Sequence, residues 1–154
     1  SEKYVFTAEW YDIPVPSTAN LISEADWQTL ITVKSAVNKQ IETARNAKLI
    51  GSNLSAKVEL WANAELKTVL DQFADELRFV LITSTVIVKD FDAAQGEATD
   101  LDGLRVQVSA AEGEKCVRCW HVLPDVNTHS AHLGLCARCI INLPSGQGEE
   151  RKYA

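Results

Sequence analysis

The chain has 154 residues, 46% hydrophobic and 23% charged, with a formal net charge of −6 at pH 7. This is ordinary for a globular protein of one domain or two small ones, and no apolar run approaches the ~20 residues of a membrane span. The acidic balance excludes a general nucleic-acid binder held by a broad basic surface. Charge is unevenly spread: residues 1–112 hold 10 basic and 17 acidic side chains, residues 113–154 five and four. A contact with a polyanion is therefore expected to be local, guided by shape, and placed in the second segment. The chain begins at Ser1 and contains no methionine, which points to a fragment or a processed chain.

In chain order, the aromatic stretch Val5-Phe6-Thr7-Ala8-Glu9-Trp10-Tyr11 reads as a short strand or the end of an element. Pro14 and Pro16 mark a turn or extended linker after it. Ser23 is a helix cap with Glu24 and Asp26 in the first turn, and the predicted helix runs to about Leu49, with Gly51 as its terminator. Trp27, Leu30, Ile31, Val37, Ile41 and Ala44 form its apolar face. Ser55–Trp61 alternates, with Ala56, Val58 and Leu60 facing one way and Lys57, Glu59 and Trp61 the other, as in a half-buried strand. Asn63 caps a second helix to about Leu77, buried through Leu66, Val69, Leu70, Phe73, Ala74 and Leu77. The run Phe79–Val88 predicts one strand, or two with a turn near Thr83–Thr85. Residues 90–103 read as a polar loop, and Leu104–Ser109 as a further strand. Asp71, Asp75 and Glu76 cluster on the second helix, a pattern expected of a solvated face.

All four cysteines lie in the last segment: Cys116-Val117-Arg118-Cys119, sixteen residues, then Cys136-Ala137-Arg138-Cys139. Two Cys-x-x-Cys pairs at this separation predict a metal site, because each turn points two thiolates at one ion. Four sulfurs in a tetrahedron suit zinc, though the donor type also suits iron. A closed set of four leaves no position for a reacting water, so the expected role is structural. His121, His129 and His132 are then spare. Arg118 and Arg138 sit inside the two turns, where they either balance the −2 charge of the centre or face a polyanion. Trp120 either packs over the metal or offers a platform to a nucleobase. The sixteen intervening residues are long enough for a short hairpin. Arg151 and Lys152, in a short charged tail, could clamp a phosphate.

The segments Glu114–His121, Leu135–Ile140 and Gly148–Ala154 resemble the C-terminus of bacterial isoleucyl-tRNA synthetases. The resemblance extends upstream through Tyr4–Tyr11, Val37–Arg45, Ile50–Ala56 and Asp75–Ile82, and so covers essentially the whole chain. Zinc spacing alone would also fit DNA glycosylases of the formamidopyrimidine type; the flanking segments select the synthetase. The resemblance implies a class I ligase that joins isoleucine to its tRNA through an adenylate made from ATP. The HIGH and KMSKS signatures of its catalytic fold are absent from these 154 residues, so no catalytic site is expected here. In the family the zinc ligands fall on Cys116, Cys119, Cys136 and Cys139.

The expected fold class is α+β: an N-terminal helix and a small mixed α/β unit, followed by a four-cysteine, zinc-ribbon-like module. The expected division is 1–50, the end of an anticodon-binding helical region; 51–112, an α/β linker domain; and 113–154, the zinc domain. The expected function is tRNA positioning in a cytoplasmic synthetase, with one structural zinc, contacts from Arg118, Trp120, Arg138, Arg151 and Lys152, and neither DNA nor membrane as partner. The remaining domains of the same enzyme are expected partners. The alternative is a zinc-stapled protein–protein docking module without RNA contact.

Overall fold

The computed structural model describes residues 22–153 together with Tyr4, Phe6, Asp12 and Pro14; the expectations for residues 5 and 7–11 and for Pro16 lie outside the described residues. Helix α1 spans Glu24–Asn46, and Ser23 Oγ accepts the Asp26 N–H at 3.0 Å, as the cap predicts. Its buried face is Leu30, Val33, Ala36, Val37, Ile41 and Ala44. Trp27 and Ile31, expected on that face, are 42% and 46% exposed. The helix also stops short of Leu49. Lys48 turns to φ 59, and the Leu49 N–H bonds back to the Ala44 carbonyl at 2.9 Å, so the terminator is a lysine in the left-handed region and not Gly51.

Strand β1, Ala56–Ala62, is an inner strand of a four-stranded sheet whose order is β2 (Thr85–Asp90), β1, β4 (Leu104–Ala110), β3 (Glu97–Ala98). It is followed by α2, Ala64–Asp71, capped by Asn63 Oδ1 on the Leu66 N–H at 2.9 Å. A 3-10 turn, Ala74–Glu76, leads into α3, Leu77–Leu81, and then β2, Thr85–Asp90, pairs parallel to β1. Parallel neighbours need a crossover of this kind. The expectation that residues 79–81 are strand is therefore corrected: they close a helix that ends at Ile82, φ 58. Phe73, Leu77 and Leu81 are buried four residues apart, a helical spacing that outweighs the β propensity of the run. The second helix does not continue to Leu77 as one body, and Ala74, expected in its buried stripe, is exposed.

β4, Leu104–Ala110, pairs antiparallel with β1, Ala56 opposite Ala110 and Ala62 opposite Leu104. A two-residue strand β3, Glu97–Ala98, borders β4 within the stretch expected to be loop. One core joins α1, α2 and α3 to the sheet through Leu60, Val58, Phe73, Leu81 and Val106, all at most 1% exposed. Each such side chain contributes ~1.5–3 kcal/mol of burial. Trp61, expected on the open face, is only 5% exposed. It is covered by the backbone at Gly96, where a Cβ would stand 3.0 Å from the indole, and by the Lys89 ammonium 4.9 Å from the ring. Lys89 also pairs with Glu59 at 2.6 Å.

The zinc module follows directly. β5, Glu114–Lys115, pairs antiparallel with β6, Val122–Leu123, so the hairpin wraps the first cysteine pair and does not lie between the two pairs as expected. Gly113 enters this hairpin at φ 105, where a Cβ would stand 2.3 Å from the Leu123 carbonyl, a place only glycine fits. A short helix α4, Ala137–Ile141, begins at Cys136. The module touches the α/β unit through Ser84, whose Oγ accepts the Val122 N–H at 2.7 Å while donating to the Leu54 carbonyl at 2.5 Å.

Candidate metal centre

The two Cys-x-x-Cys turns meet. All four Sγ atoms lie within 4.8 Å of one another, and Cys119 Sγ stands 3.7 Å from Cys136 Sγ. Four sulfurs placed ~2.3 Å from a tetrahedral ion stand ~3.8 Å apart, so the cage fits zinc in both donor type and size. Cys116, Cys136 and Cys139 are buried and Cys119 is half-buried. The turns are built by backbone bonds. Trp120 N–H donates to Cys116 O and Cys116 N–H to His121 O, each at 2.9 Å, and Ile140 N–H donates to Cys136 O at 3.1 Å. Asp125 Oδ2 accepts the Ala137 N–H at 2.7 Å and so fixes the start of the second knuckle.

The thiols do not ionise alike. Burial pushes Cys116 up, but backbone N–H donors from Cys119, Cys136 and Arg118 outweigh it and bring it down to about 6. Burial, with the neighbouring thiols, pushes Cys139 and Cys136 up. A cluster this dense cannot carry four thiolates on its own, and a divalent cation at its centre supplies the missing charge. Among the described residues these cysteines are the only group of three or more His, Cys, Asp or Glu placed to hold a metal. Asp71 instead pairs with Lys67 at 2.9 Å, and Glu76 accepts backbone N–H groups of Lys152 and Tyr153.

The three histidines stay outside the cage. His121 is buried edge-on to Phe79, and both ring nitrogens lack a partner. Burial, then the charges of Arg78 and Arg138, hold its imidazole below the ordinary histidine range. The arginines are engaged internally. Arg118 Nη1 donates to the carbonyls of Cys139 and Asn142 at 3.0 and 3.1 Å. Arg138 Nη1 reaches Glu149 Oε1 at 2.8 Å, and Arg151 reaches the same oxygen. Both guanidiniums lie over the Phe79 ring, 5.0 and 4.2 Å from its centroid. Lys152 Nζ lies 4.8 Å from the Tyr153 ring. Trp120 is different: it is 60% exposed, sits at φ 68, and has the Lys115 ammonium 5.4 Å from its ring. Glu149, Asn142 and Phe79 carry no such signal in the sequence, since nothing in the local pattern pairs a tail glutamate with a knuckle arginine, and Glu76, expected on a solvated face, instead receives the tail.

The family model described as a zinc finger found in FPG and IleRS matches residues 113–141, the span of this cage. The chain is 77% identical over its full length to an isoleucine–tRNA ligase of Acinetobacter baylyi, of which it covers 16%. It is 46% identical to the ligase of Vibrio cholerae serotype O1, over 99% of the chain and 16% of that protein. The whole chain matches the C-terminal region of isoleucine–tRNA ligases. A further ligase relative, from Psychrobacter arcticus, is 46% identical over the whole chain and 17% of its own length. The chain thus spans about a sixth of the ligases it matches. The matched finger and the clustered thiols together make the cofactor a single structural zinc. No helix among the described residues is long and apolar enough to cross a membrane.

Proposed function

We propose that this ligase segment positions isoleucine tRNA for ATP-dependent aminoacylation carried out in the cytoplasm by domains outside these 154 residues. Zinc held by Cys116, Cys119, Cys136 and Cys139 makes residues 113–154 a rigid domain. Residues 51–112 link it to the anticodon-binding region that ends within 1–50. The observation that carries the reading is Trp120. A bulky residue in the left-handed region is costly, and here the indole is held outward on a metal-fixed turn beside a lysine. An exposed ring with a cation against it suits an unstacked base and its phosphate. Lys152 and Arg151 contribute charge, and Arg118 and Arg138 offer their remaining N–H groups along a cleft of ≈ 440 Å³ that they line with Arg151, Asn142 and Glu149.

One observation favours the alternative of a zinc-stapled docking module: Arg118, Arg138 and Arg151 already have internal partners. A titration of the zinc-loaded chain with isoleucine tRNA, a non-cognate tRNA alongside, separates the two. RNA contact predicts saturable cognate binding that weakens steeply with salt. Trp120→Ala then costs about tenfold in affinity, within the ~1–3 kcal/mol of one base–aromatic stack, with zinc retained. Binding untouched by Trp120→Ala removes the platform; no binding by the folded, zinc-loaded chain supports docking.

A further inference from the structure

Residues 149–153 return from the zinc module to the α/β unit and are held at both ends. On the metal side, Asn142 Oδ1 accepts the Glu149 N–H at 3.2 Å. Asn142 is itself fixed: its Nδ2 donates to Arg138 O at 2.9 Å, and its carbonyl accepts from Arg118. Gly146 and Gly148 bring the chain round, with Gly148 N–H on the Ile141 carbonyl at 2.9 Å. A Cβ at Gly146 would stand 1.9 Å from that same carbonyl oxygen, so the turn admits no side chain there. On the far side, the Glu76 carboxylate accepts Lys152 N–H on one oxygen and Tyr153 N–H on the other, each at 2.6 Å. The Tyr153 ring lies 5.2 Å from Phe73 and packs against the main core.

Charge ties this strap to the cage. A zinc ion with four thiolates carries a net −2, and Glu149 adds one negative charge. Arg118, Arg138 and Arg151 supply three positive charges around the same cleft, which offset them. Arg138 faces both Glu149 and the Cys119 sulfur and so joins the strap to the cage.

We propose that Glu149–Tyr153 is a metal-keyed strap: zinc fixes Arg138 and Asn142, these hold Glu149, and Glu149 delivers Lys152 and Tyr153 to Glu76 and Phe73. Metal loading thereby sets the orientation of the zinc module on the sheet, beyond keeping the module folded. The Ser84 and His121 contacts tether the module at the hairpin, and the strap supplies the second point that two bodies need for a fixed angle. The inference does not depend on an RNA partner.

The test uses the full chain, with amide exchange read by NMR and zinc release read with an excess of chelator. In the zinc form the Lys152 and Tyr153 amides are expected to be protected, and chelation removes that protection at least about tenfold while the Leu60 and Val106 amides stay protected. Glu76→Gln and Tyr153→Ala are each expected to release zinc about fivefold faster, the loss of a charge-assisted bond or a ring contact felt at the far end of the strap. Protection of Lys152 and Tyr153 that survives chelation overturns the proposal. So does zinc release at the wild-type rate in both variants. If Glu76→Gln alters the sheet amides, Tyr153→Ala alone decides, since it leaves the turn before α3 intact.

Discussion

Removing the metal should unfold residues 113–141 and leave the sheet standing. The zinc module has little core of its own: apart from three cysteines and His121, which packs on Phe79, only Val126 is buried in it, with Leu123 and Leu135 half-buried against them. At ~1.5–3 kcal/mol for a fully buried aliphatic side chain, Val126 and the two half-buried leucines contribute ~3–6 kcal/mol. A structural zinc site supplies ~10–16 kcal/mol at neutral pH, so the metal contributes more than the apolar packing does. The α1–sheet core contains nineteen buried residues and none of the cysteines, so it has no such dependence. In a ¹H–¹⁵N spectrum, chelator should collapse the resonances of residues 113–141 while those of Leu60, Leu81 and Val106 keep their dispersion. Lowering the pH should do the same, because protons compete with zinc for the thiolates and affinity falls as pH falls. Concerted loss of both regions, by chelator or by acid, would refute the argument. So would a hairpin that stays folded without metal.

Two further outcomes follow from particular contacts. Glu149→Gln should lower stability by ~1–2 kcal/mol at pH 7, or ~3–6 °C in melting temperature for a chain of this size. Burial raises the Glu149 carboxyl, but Arg151 and Arg138 outweigh it and hold it below its ordinary 4.5. Its contribution is therefore complete above that value and lost as pH falls through the lower folded value, so the gap between variant and wild type should close in acid; a gap constant with pH would contradict this sign. Ile82→Gly should stabilise the chain by ~0.5–1 kcal/mol in urea unfolding, since a β-branched residue at φ 58 is strained and its side chain is 48% exposed; a destabilised variant would mean that the side chain carries the site after all.

What can be read from the residues alone is whatever depends on short-range rules. Ser23 and Asn63 cap the helices they are expected to cap, because a cap is decided within four residues. The cysteine spacing locates the cage, since two turns and one ion suffice to define it. Residues 79–81 mislead because Phe-Val-Leu suits either state, and only the need to carry β1 over to a parallel β2 makes them helical. Strict alternation sends Trp61 to the open face, yet the chain around Gly96 covers that face from thirty-five residues away in sequence. The cysteine spacing also sets the arginines beside the metal, but it does not give their partners. Asn142 meets Arg118 only when the two knuckles close, Glu149 comes to Arg138 only once the tail has folded back, and no periodicity announces that return.

The sheet order has a consequence for synthesis on the ribosome. β1 is central, flanked by β2 on one side and β4 on the other. β2 emerges soon after β1 and can close one edge early. The other edge, Ala56 to Ala62, waits for Ala110 to Leu104, made only after the whole loop between. Through that interval the nascent chain presents an unpaired apolar edge, the kind of surface that chaperones cover and that neighbouring chains join. α1, already made, packs against β4 in the finished core, so part of its own apolar face also waits for that strand.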